Sequence, residues 1–157
     1  MDLFGLNGAD FSEDRKYRYA LWRVWDETKP KAMIVGLNPS RADESIDDPT
    51  IRRVRHLAAS WGFGGIYMLN LFAWITPYPE ELENCEDPIG DNDCKLEAYA
   101  LKCEEVVFAW GANEVRGRDD FAVKKFPNAK CIARNADGTP KHPLYVKQGV
   151  ELVRFKP

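Results

Sequence analysis

The sequence predicts an α/β domain in three layers, with helices on both faces of a mostly parallel central sheet. Three observations point there. Short apolar runs of strand length recur at 32–37, 66–69, 106–110 and 129–132. Stretches with apolar residues at helical spacing lie between them. The chain, at 157 residues with 45% hydrophobic and 30% charged side chains, suits one globular domain spanning 1–157 and is too short for two.

Taken in order, Tyr17, Tyr19 and Leu21 alternate with Arg18 and Ala20, the pattern of a half-buried strand. The turn-like stretch from Asp26 to Pro30 leads into Ala32-Met33-Ile34-Val35-Gly36-Leu37, which predicts two strands joined by a short connection. Asp48-Pro49-Thr50 supplies a cap and an early proline for a helix running through Trp61 and stopped by Gly62. Ile66 to Leu69 reads as a buried strand. A second helix is expected over Asp91 to Lys102, with Leu96, Tyr99, Ala100 and Cys103 on one face. Val106 to Trp110 is another buried strand, Glu114 to Lys125 a less regular helix, and Ala129 to Ile132 a weaker last strand.

Composition narrows the function classes. No apolar run approaches the roughly 18 to 20 residues of a membrane span, and Met1-Asp2-Leu3-Phe4-Gly5 lacks a basic stretch followed by a signal core. A cytoplasmic location without membrane association is expected. Cys85, Cys94, Cys103 and Cys131 form no Cys-x-x-Cys pair, so reduced thiols are expected and no metal or cluster site. Net charge is -3, but residues 80–97 hold eight acids against one lysine, which leaves +4 on the rest. That segment reads as an acidic solvated loop.

Ligands of open α/β sheets bind beyond the carboxyl ends of the strands. The residues there are Asn38-Pro39-Ser40, Asn70, Gly111-Ala112-Asn113 and Lys141-His142-Pro143. A buried amide is costly without partners. Asn70, between Leu69 and Leu71, matches the donor-acceptor pattern of a base edge, whereas Asn38-Pro39 is also a turn signal. His142 sits in a proline-stiffened loop; His56 shares a helix with Arg52, Arg53 and Arg55 and reads as surface. Ser40 lacks an evident histidine relay and suits a cap. Adjacent Asp47 and Asp48 fit helix capping, or Mg2+ less well. Gly62-Phe63-Gly64-Gly65 precedes a strand, so it is no dinucleotide fingerprint.

These residues carry a resemblance. Gly36-Leu37-Asn38-Pro39-Ser40 resembles the first motif of the uracil-DNA glycosylase superfamily, particularly its mismatch-specific branch. Met68-Leu69-Asn70, Phe108-Ala109-Trp110-Gly111-Ala112 and His142-Pro143-Leu144 resemble three further motifs of that superfamily, in the same order. The run from Asn38 to Arg53 is similar to domain-of-unknown-function family 1643, and the motif-bearing core covers about 31–146.

The resemblance implies a three-layer α/β/α fold that hydrolyses a base-sugar bond, without a cofactor, in DNA repair or modification. Asn38 would position the attacking water, Asn70 would read the base, and His142 would hydrogen-bond the departing base. Gly36, Pro39 and Ser40 would frame the base pocket. An amide does not titrate near neutral pH, so the mechanism must be dissociative, with charge on the leaving base stabilised by donors. A base taken from a stack needs an aromatic platform. Phe72 is the favoured candidate, beside Trp74 and Tyr145, and each also suits a core. Arg52 and Arg53 suit a phosphate or an exposed helix face. The expected partner is DNA, including single-stranded or modified DNA, or a free nucleotide; the alternative is a binding module on the same fold without turnover.

Overall fold

The structure is a computed structural model and describes residues 6–113 and 115–155. Its elements are β1 (Asn7–Phe11), β2 (Arg18–Val24), β3 (Lys31–Gly36), α1 (Pro49–Ser60), β4 (Gly65–Asn70), α2 (Asn92–Ala100), β5 (Glu105–Phe108), α3 (Arg118–Lys125), β6 (Lys130–Cys131) and β7 (Val153–Arg154). Short 3₁₀ turns lie at Pro79–Glu83 and Pro143–Tyr145. The fold is α/β. Its seven described strands form one sheet in the order β1-β2-β4-β3-β5-β6-β7. The expectations for Met1 to Gly5 and for a helix start at Glu114 lie outside the described residues. No described helix is long and apolar enough to cross a membrane.

The sheet is mixed where a mostly parallel one was expected. β4, β3, β5 and β6 run parallel, while β1–β2, β2–β4 and β6–β7 pair antiparallel. The short connections explain this, because a parallel pair needs a crossover of a dozen or more residues. β1 and β2 are joined directly by the turn at 12–17. β2 and β3 are likewise consecutive, yet β4 lies between them. The 25–30 connection passes over the start of β4, where Trp25 and Asp26 N–H donate to Gly64 O and Gly64 N–H donates to Pro30 O. A Cβ on Gly64 would meet Asp26 O at 2.0 Å, so that crossing requires glycine.

Two buried clusters divide the sheet side chains with the expected period of two. Leu21, Ile34, Ile66, Met68 and Val107 pack with Ile51, Val54 and Leu57 of α1. Met33, Val35, Leu69 and Phe108 pack with Leu96 of α2 and Ala122 of α3. The helices thus cover opposite faces. α1 begins as its sequence indicated: Asp48 accepts from Ile51 N–H at 2.9 Å, and Pro49 opens the helix. α3 starts only at Arg118, because Arg116 (φ 52°) and Gly117 (φ 78°) are left-handed and cannot extend it backwards.

β2 departs from simple alternation. Its register against β1 shifts between Asp10 and Phe11, whose partners are Ala20 and Arg18, leaving Tyr19 as an extra residue. This is a β-bulge. Tyr19 therefore points to the same face as Ala20, where its hydroxyl accepts from Asp91 N–H just before α2. Arg18 turns to the α1 face, where its Nη1 donates to Ala42 O.

Candidate functional site

The register of β3 on β4 pairs Gly36 with Asn70, and β5 reaches the same level through Val35 and Phe108. Three parallel strands thus end together. The chain leaves each end over one cavity of about 180 Å³, lined by residues that include Arg18, Gly36, Asn38, Pro39, Ser40, Asp48, Asn70, Thr76, Asn113 and His142. At roughly 30 Å³ per water, it holds on the order of six waters. Asn38, Asn70 and His142, from three separate segments, share this cavity, as do Gly36, Pro39 and Ser40.

Asn38 is fixed by its own donors. Its Nδ2 donates to Thr76 O at 2.8 Å and to Pro39 O at 3.0 Å. Both amide protons are spent on backbone carbonyls, so what Asn38 can offer a ligand is its Oδ1, an acceptor. Thr76, which holds it, is buried and bonded to Glu81.

Asn70 is 2% exposed, and its Nδ2 has no hydrogen-bond partner among the described residues. Its backbone is held from behind, where Asn92 Nδ2 donates to Asn70 O at 2.7 Å and Leu71 O at 3.2 Å. A Cβ on Gly36 would come within 2.6 Å of Asn70 Oδ1 and 2.8 Å of Met68 Cε. Gly36 therefore leaves the room that the amide occupies.

His142 caps the Pro143–Tyr145 turn, with its Nδ1 accepting from Leu144 N–H at 3.2 Å. An accepting Nδ1 leaves the proton of the neutral ring on Nε2, which becomes a donor. Burial pushes the His142 pKa below its ordinary value of 6.5, with Asp48 opposing. That shift favours the neutral ring. The loop is anchored by Gly111 N–H donating to Pro140 O and Lys141 N–H to Ala133 O, both at 2.9 Å. Gly111 (φ 76°) lies beside it, where a Cβ would stand 3.4 Å from that of His142.

Several site residues were not foreseen. Asp48 had been read as a helix cap, and it is one, but it also lines the cavity and accepts from Ser40 Oγ at 3.3 Å. Ser40 is accordingly a wall residue with a carboxylate partner. Arg18 was masked by its place in an alternating strand pattern; it is 3% exposed, and burial lowers its pKa to about 10, so it stays charged at neutral pH. Asn113 was noted beyond its strand without a role; its Nδ2 donates to Trp110 O at 2.6 Å.

Other expectations are corrected. Phe72 does not form a platform at the cavity; it is buried in the core with Leu96, Phe108 and Trp110, because the strand ends at Asn70 and the bend at Leu71 breaks its alternation, which sends Leu71 and Phe72 to the same cluster. The aromatic residue at the rim is Tyr145, 78% exposed, which lines an adjoining cavity with His142 and Asn113, its ring 5.7 Å from that of His142. Arg52 and Arg53 do not reach the central cavity. Arg52 is exposed and donates to Asp47 O, while Arg53 Nη2 donates to Val146 O at 2.7 Å and ties α1 to the segment after His142. The helix spacing turns both away from the strand ends.

The family described as protein of unknown function (DUF1643) matches residues 18–144, a span that contains every residue named above as lining the strand-end cavity. No curated protein and no solved structure matches.

Proposed function

The chain belongs to the DUF1643 family, and we propose that its strand-end cavity is a nucleobase N-glycosidase site that hydrolyses a base-sugar bond in DNA or a nucleotide. One observation carries this reading: Asn38, Asn70 and His142, distant in sequence, line a single cavity whose polar groups are presented in complementary roles. The order of motifs resembling the uracil-DNA glycosylase superfamily supports it, as do helices on both faces of a sheet with a parallel centre, which suit that superfamily's three-layer arrangement.

The chemistry follows from what each group can give. Asn38 Oδ1 accepts a hydrogen bond from water and orients it, but no amide removes the proton. The glycosidic bond must therefore lengthen before water attacks, with the sugar taking oxocarbenium character and the base taking negative charge. The Nε2–H of neutral His142 donates to that charge as it develops, at no cost of reorganisation in a fixed loop. Asn70 reads the base edge with its unpaired amide. As the bond breaks, the electron pair stays on the base, and the water that adds to the sugar loses its proton to solvent or to the departing base.

The test is release of free base from single- and double-stranded oligonucleotides containing uracil, hydroxymethyluracil or mismatches, and from free nucleotides. Base release that His142→Ala lowers about 10²- to 10³-fold is the expected result, by analogy with the loss of one transition-state donor. No release from any substrate would overturn it. Because the Asn38 amide cannot itself remove a proton from water, a binding module without turnover is the second reading. It is recognised by nucleobases that raise Tm with no product formed.

A further inference from the structure

We infer that the wall of this cavity formed by Arg18 and Asn70 receives an oxyanion carried by the ligand, a carboxylate or a phosphate group. The inference deepens the reading of the cavity as a ligand site by naming what one end of that ligand bears.

The protein supplies its own control. Three arginines are buried, Arg18, Arg23 and Arg118. Arg23 donates to Asp43 O, Trp22 O and other carbonyls and pairs with Asp47 at 2.8 Å. Arg118 donates to Leu71 O and pairs with Asp93. Arg18 differs. Among the described residues its side chain makes one hydrogen bond, Nη1 to Ala42 O at 3.1 Å, its Nε has no partner, and no carboxylate lies within 4.0 Å.

An ionised group removed from water is stable only when paired. A guanidinium has five N–H donors in a fork that fits a carboxylate or phosphate. Asn70 Nδ2 adds a second unmatched donor on the same cavity. Asp48 is the one acid among the described lining residues; its charge favours the Arg18 guanidinium through space, but no ion pair within 4.0 Å joins the two, so the guanidinium fork is left open toward the cavity. The bulge at Tyr19 turns Arg18 onto this face, and bulges commonly re-aim a side chain beside a site.

The test titrates wild-type protein, at low ionic strength, with uracil, with orotate (the same ring bearing a carboxylate) and with inorganic phosphate. Affinity comes from calorimetry, and the Arg18 side-chain Nε–H is followed by ¹⁵N NMR. Orotate binding at least ten-fold tighter than uracil, with displacement of the Arg18 Nε–H signal, places the oxyanion on the base. Phosphate binding that moves this signal, without an orotate preference, places it on a nucleotide phosphate. Absence of both, or binding that leaves the signal unmoved, overturns the inference. Arg18→Gln should reduce the preference to within two-fold; a preference that survives in a folded variant also overturns it. The wild-type measurements decide even if that variant does not fold. The two readings fail separately: oxyanion binding without uracil binding or base release removes the glycosidase reading, while base release without Arg18 involvement removes this one.

Discussion

Asn38 shows how the fold can leave a single side chain one polar group to offer. Its two amide protons are committed to Thr76 O and Pro39 O, so Asn38→Asp would set a carboxylate oxygen against those two carbonyls. We expect that variant to lose about 1 to 3 kcal/mol of stability, visible as a lower Tm, although a carboxylate is the better base. His142 carries a pH dependence whose sign is fixed by its environment. Burial lowers its pKa in the folded chain, so the unfolded chain binds the proton more readily. Its contribution to stability is complete above the ordinary imidazole value of 6.5, and it declines as pH falls from there toward the lower folded value. Melting curves between pH 7.5 and 5.5 should show a steeper loss in the wild type than in His142→Asn. That Asn70 and His142 line the cavity was legible because a polar residue inside an apolar run, or one stiffened by proline, needs a reason to be there. Phe72 was not legible as core, since an aromatic beside a motif looks the same whichever way its backbone turns.

Elements place these residues by register. Because Gly36 and Asn70 are partners across parallel strands, Gly36→Ala should drive a methyl group into the Asn70 amide and Met68. A cost of about 1 to 3 kcal/mol is expected from overpacking, with loss of ligand affinity well beyond what the fall in Tm explains. Thermal melts paired with nucleobase titration check both. Asp48→Ala removes the cap of α1 and should cost about 1 kcal/mol. The sequence showed β3, β4, β5 and α1 clearly, since long apolar runs and an Asp-Pro start are local signals. It did not show β1, whose Asn7-Gly8-Ala9-Asp10-Phe11 lacks the apolar density of a strand and is formed by pairing with β2. β7 is two residues long and exposed, so it too depends on its neighbour.

Across the whole molecule, buried arginines link the sheet to the loops around the cavity. Arg23, on β2, gathers the carbonyls of Asp43, Glu44 and Ile46 and the carboxylate of Asp47, which Arg55 of α1 also holds at 2.8 Å. Burial disfavours the charge on Asp47, but the bonds from Arg23 and Arg55 outweigh it and keep the carboxyl below its usual range. Arg23→Met should strip these bonds from the 43–47 loop and leave Asp47 paired with Arg55 alone, at about 1 to 3 kcal/mol. Hydrogen exchange should then rise first at 43–51 and only later in β3 and β4. None of this was legible, because an arginine in a strand pattern reads as solvent face, and its burial is decided by a loop that folds over it from twenty residues away. The same blindness covers Arg18, whose direction depends on one surplus residue in β2. A surplus of one residue is a difference of one codon. A single in-frame deletion there would return β2 to simple alternation, swing the guanidinium to the opposite side of the sheet and leave Asp48 as the charge among the described lining residues, so the electrostatic character of this cavity can invert in one mutational event.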